Sequence, residues 1–148
     1  MTFWHLAHIL GFTLWLGAGL AAMLVGIRGR AEDRPSQALI VRMLHGIHRI
    51  LMLPGIGLTI ASGFYLSVPA AKAGQPSSWL MVMQLAGVIA ALLVIFVSLP
   101  ALGRLKRLSP VGDTATLFDA LRRRQARAGM IAGNLGLISL LAGVLHKY

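Results

Sequence analysis

Residues 2–27 read TFWHLAHILGFTLWLGAGLAAMLVGI, a run without a charged side chain that carries His5 and His8 near its start. A helix rises about 1.5 Å per residue, so about 20 apolar residues cross the hydrocarbon core of a bilayer. This run is long enough to do so. Two imidazoles about a turn apart in such a helix are costly to leave among lipid tails without partners. His5, His8, Phe12 and Trp15 share one face, with Gly19 near it, and Gly11, Ala18 and Ala22 form a stripe of small residues alongside. That face is expected to point into a bundle, since small residues let transmembrane helices approach closely. No Lys or Arg precedes the run, so it reads as a retained helix and not as a signal peptide.

Composition extends the same reading to the whole chain. Of 148 residues, 57% are hydrophobic and 12% charged, whereas a soluble domain is about a quarter charged. The chain is expected to be one transmembrane domain, residues 1–148. A net charge of +10 raises the question of nucleic acid. The basic residues, however, sit at the ends of apolar runs, and no finger or helix-turn-helix pattern accompanies them, so no nucleic-acid partner is expected. With no cysteine, disulfides, thiolate zinc sites and iron–sulfur clusters are excluded.

Four helices follow, an all-α membrane bundle, at about residues 2–27, 38–68, 79–102 and 128–148. A polar loop with three arginines joins the first two. Pro54 is expected to bend the second, beside Gly55, Gly57 and Gly63. Tyr65 and Trp79 flank the next loop and suit a membrane–water interface. Residues 119–127 read as a short basic amphipathic helix on the lipid surface. In the fourth helix Gly129, Gly133, Gly136 and Gly143 predict one nearly flat, directly packed side.

Of the 14 Lys and Arg, twelve lie in or beside the loops after helices one and three, against only Lys72 and Lys147 on the other side. By the positive-inside rule both termini are expected to face away from the cytoplasm, in the inner (plasma) membrane of a bacterium. That topology puts His5, His8 and His146 at the outer end, level with Met81, Met83 and Gln84. It puts His45 and His48 at the inner end, with Met52 one turn on and Arg42 and Arg49 beside them. The four acids, Glu32, Asp33, Asp113 and Asp119, all lie outside the expected spans, which excludes carboxylate relays and di-iron sites.

The histidines admit three readings. A b-type haem needs only a pocket between helices and one or two axial groups, commonly His, with basic residues for the propionates. His with Met suits copper, through His5, His8, Met81, Met83 and His146. Third, the histidines are interfacial and the chain is a cofactor-free structural subunit that docks through the glycine side of helix four.

His8 followed by Trp15-Leu16-Gly17 resembles the first helix of the HemJ-type protoporphyrinogen oxidases and of related four- and five-helix membrane families, CopD-like copper-resistance domains among them. His48-Arg49-Ile50-Leu51-Met52-Leu53-Pro54, followed by Ala61-Ser62-Gly63-Phe64-Tyr65-Leu66, is similar to the HemJ second helix. Trp79-Leu80 resembles the start of its third, and Val144-Leu145-His146-Lys147 a family tail that carries a lysine. The resemblance implies a haem-b-binding four-helix bundle with His8 as axial histidine. HemJ proteins carry a lysine early in helix three; this chain has Met81-Val82-Met83-Gln84 there, which places it nearer the uncharacterised relatives than the oxidase.

The expected cofactor-binding set is therefore His8, His146, Trp15 and Arg49, with His146 as second ligand because topology puts it on the side of His8. The metal-ligating candidates are His8, His146, His5, His48 and His45. The expected activity is electron transfer, or oxidation of a quinol or porphyrinogen. The expected partners are the bilayer, a quinone or porphyrin, and a homodimer or larger membrane complex.

Overall fold

The computed structural model describes residues 3–72 and 77–145, with the backbone alone at residues 70 and 71. Helix α1 spans Phe3–Arg28, α2 Arg34–Ile47, α3 Leu53–Lys72, α4 Ser78–Leu93, α5 Leu99–Leu105 and α6 Ala115–Leu145. One π-turn segment, His48–Met52, joins α2 to α3, and a second, Val94–Ser98, joins α4 to α5. Among the described residues this makes four helices long and apolar enough to cross a membrane: Phe3–Arg28, Arg34–Pro69, Ser78–Leu105 and Gly112–Leu145. The protein is a multi-pass, all-α bundle. Its exposed side chains include Leu6, Leu10, Leu24, Phe64, Phe96 and Leu141, a surface suited to hydrocarbon and not to water.

The helix ends depart from expectation for local reasons. The second span begins at Arg34 and not at 38, because Asp33 has extended N-cap geometry and Pro35 falls in the first turn, where its missing N–H costs nothing. Helix α3 continues to Lys72 with Pro69 inside it, past the expected end at 68. The third span reaches Leu105, beyond 102.

The largest correction concerns residues 119–127. They do not form a separate surface helix. Neither Gly nor Pro interrupts residues 115–128, so α6 runs unbroken from Ala115. Phe118 is fully buried in this stretch, in a second core with Val41, Leu44, Leu102 and Leu105.

Each π segment begins six residues before a proline, Pro54 in one case and Pro100 in the other. Proline lacks an N–H and its ring collides with the carbonyl four residues back. The wider turn moves the preceding carbonyls out of the way. Leu53 N–H bonds to the His48 carbonyl and Leu99 N–H to that of Val94.

Helix α1 packs chiefly on α3, and α4 on α6. The α1–α3 seam is close: a Cβ on Gly11 would lie 2.8 Å from the Thr59 nitrogen, and one on Gly55 2.7 Å from the Trp15 nitrogen. The two pairs meet at Trp15, Ala18, Met52, Ile56, Ala90, Ala91, Val94 and Ala132. On α6 the packed stripe is Ala128, Ala132, Gly136, Ser139 and Ala142. The flat glycine side is only half present. Gly136 is buried and Gly143 faces Met83, but Gly133 is exposed, and a Cβ added there would meet nothing within 4 Å.

Candidate functional site

The helix α1 approach on α3 brings His8 against two polar groups of the neighbouring helix. Its Nδ1 lies 3.0 Å from the Thr59 carbonyl oxygen and 3.1 Å from Ser62 Oγ. A carbonyl only accepts, and the Ser62 hydroxyl hydrogen is given to the Leu58 carbonyl. Both groups therefore take a hydrogen bond from Nδ1–H. The ring is the Nδ1–H tautomer, and its lone pair is on Nε2. Among the described residues no buried side-chain nitrogen or oxygen is without a hydrogen-bond partner. Nε2 of His8 has no such partner among them, and the ring as a whole is half-buried. Gly63 lies beneath the ring: a Cβ there would sit 3.1 Å from His8 Cε1.

One turn towards the N-terminus, Trp4 stacks on Tyr65 with ring centroids 4.5 Å apart. Phe3 meets the edge of Trp4. Tyr65, expected at the interface, thus ties the start of α1 to the last turns of α3. Trp79 is exposed there, as an interfacial aromatic would be.

His48 has the opposite character. It is 3% exposed and opens the first π segment. Its Nδ1–H donates to the Leu44 carbonyl at 2.8 Å, and its Nε2 faces Ser98 Oγ at 3.4 Å. Ser98 closes the second π segment and receives a further bond, 3.3 Å, from Gln125 on α6. A self-consistent chain results: Gln125 N–H to Ser98, Ser98 O–H to His48, His48 N–H to Leu44. Both ring nitrogens of His48 are spoken for, so this imidazole joins the second, third and fourth spans and offers no lone pair to a ligand.

The other candidates are dispersed. Trp15 lies buried in the core between the helix pairs. Arg49 is exposed, and, ten positions before Thr59, it stands about 15 Å from His8 along the helix axis. His45 is half-buried and His5 exposed. Met83 packs at the α4–α6 seam, its backbone carbonyl accepting from Ser139, while His8 belongs to the α1–α3 seam. Met81 is exposed. His146 lies outside the described residues. Among those residues no three of His, Asp and Glu gather into a group able to hold a metal ion.

Sequence reading missed Thr59, Ser62, Ser98 and Gln125. Each had a faint signal. Thr59 and Ser62 are the hydroxyls of an apolar stretch, Ser98 stands two residues before Pro100, and Gln125 is an uncharged member of an arginine cluster. A further polar contact escaped it as well: Arg122 donates to Gln37 Oε1 at 2.7 Å and to the Gly29 carbonyl at 3.0 Å, tying α6 to α2 and the loop before it. Compared with protein-family models, curated proteins and solved structures, the chain matches none.

Proposed function

We propose that this chain is a bacterial inner-membrane protein, a relative of the HemJ-type and CopD-like bundles, that binds haem b through His8. Its activity is electron transfer or the oxidation of a hydrophobic donor, a quinol or porphyrinogen. One observation carries the reading: Nδ1 of His8 is anchored on the Thr59 carbonyl and Ser62 hydroxyl. A ring so held keeps its Nε2 lone pair aimed, the arrangement metal-ligating histidines use.

The residues present fit an axial role. Nε2 has no hydrogen-bond partner among the described residues, and Gly63 leaves the imidazole room that a side chain would take. Haem b, when bound, supplies one-electron redox chemistry. The protein's part is to hold the ring: Thr59 and Ser62 set its tautomer and angle, and the Trp4–Tyr65 stack braces the two helices one turn outward. The sequence nominates His146 as second axial group. Both termini face away from the cytoplasm in this reading, which the bias of twelve basic residues against two supports.

The test is a visible spectrum of the protein purified in mild detergent from cells with ample haem, before and after dithionite. A Soret band and a reduced α-band are expected, both lost in His8→Ala and altered in His146→Ala. A featureless spectrum of the unaltered protein overturns the proposal.

A further inference from the structure

Where the third span ends and α6 begins, the chain forms a cleft of about 260 Å³ lined by Arg104, Arg107, Leu108, Leu117 and Leu121. Two cations rim a lining that three leucines make mainly apolar, and no carboxylate lines it. Asp119, the acid nearest in α6, is already held by Arg34 at 2.7 Å. Both arginines are exposed, and neither has a hydrogen-bonded side-chain partner among the described residues. Leu117 is 52% exposed beside them.

The level of the cleft in the bilayer follows from helix length. The third span, 28 residues from Ser78 to Leu105, measures about 42 Å at 1.5 Å per residue. The hydrocarbon core with both headgroup layers is about 40–45 Å thick. With Trp79 at one interface, Arg104 and Arg107 stand in the headgroup layer of the other, and the leucines lie beside them.

We propose that this cleft binds an anionic phospholipid, its phosphate held by Arg104 and Arg107 and an acyl chain lying along Leu117 and Leu121. Guanidinium suits a phosphate because its donors form a planar fork, and basic pockets between membrane helices recognise acidic headgroups on this principle. A second cleft, about 470 Å³, is lined by Arg28 and Glu32 among mainly apolar neighbours. It presents both signs of charge and gives no reason for an anionic preference.

Native mass spectrometry of the whole chain in neutral detergent tests this, with phosphatidylglycerol or phosphatidylcholine of identical acyl chains. Phosphatidylglycerol is expected to be retained about tenfold better. The double variant Arg104→Gln/Arg107→Gln should reduce that to the phosphatidylcholine level. Arg123→Gln/Arg124→Gln, which removes the same charge from exposed positions outside the cleft, should keep the preference. Inorganic phosphate at millimolar concentration should not displace the lipid. Equal retention of the two lipids, an undiminished preference in the Arg104/Arg107 variant, an equal loss in the control, or displacement by free phosphate each overturns the proposal.

Discussion

At the scale of single residues, two buried or half-buried histidines use the same tautomer to different ends. His8 and His48 both donate from Nδ1 to a backbone carbonyl, of Thr59 and Leu44 respectively. They differ in what meets Nε2. Ser98 occupies that of His48, whereas that of His8 has no hydrogen-bond partner among the described residues. On the proposed haem reading, substitutions should separate ligand support from structural support. Ser62→Ala removes an acceptor from the His8 ring and is expected to weaken haem retention 10–100-fold with little change in thermal stability. His48→Leu breaks the bond to Ser98 and is expected to cost about 1–2 kcal/mol while leaving the haem spectrum in place. Spectra and thermal unfolding in one detergent check both. If His48→Leu bleached the spectrum at unchanged stability, the two roles would be reversed.

At the scale of elements, close backbone approach organises the bundle. Gly11 and Gly55 face backbone atoms across the α1–α3 seam at distances no Cβ tolerates. Gly11→Ala and Gly55→Ala should each force the helices apart and lower stability by about 1–3 kcal/mol. Gly133→Ala meets nothing on its exposed side and should be neutral or stabilising by up to about 1 kcal/mol, the helix propensity gain. Unfolding midpoints of the three variants decide this, and a loss at Gly133 equal to that at Gly55 would contradict the packing. The π segments before Pro54 and Pro100 belong at this scale too. They let two long spans carry a proline without a broken helix, and they set His48 and Ser98 face to face.

At the scale of the whole molecule, the two helix pairs meet at a core of small residues, with Trp15, Met52 and Ile56 supplying the bulk. Below it, the first loop and the start of α2 are tied to α6 by Arg122 on Gly29 and Gln37, and by the Arg34–Asp119 pair. The exposed ion pair adds little stability, but Arg122 holds two acceptors in a half-buried setting. The proposed topology has a direct check, since the chain has no native cysteine. Ser78→Cys and Val111→Cys place single thiols at opposite ends of the bundle, one at the exposed start of α4 and one in the loop before α6. A membrane-impermeant maleimide applied to intact spheroplasts should label Ser78→Cys and spare Val111→Cys. The reverse pattern would invert the protein in the membrane.

Four spans were legible in the sequence because the bilayer's demand is local: a long apolar run, free of charge, must be a helix wherever it sits. His8 was legible for a related reason, as an imidazole too deep in such a run to go without a partner. Its partners were not. Thr59 and Ser62 lie more than 50 positions away, and a hydroxyl in a helix ordinarily bonds its own backbone. His48 to Ser98 and Gln125 was equally hidden, as was the replacement of the glycine side of α6 by an alanine-rich one. Lipid is as apolar as the bundle's core, so a membrane helix can be hydrophobic all round and show no face that marks the interior. How each helix is turned about its axis is settled only by contacts between distant segments, and that rotation was the tertiary structure's to decide.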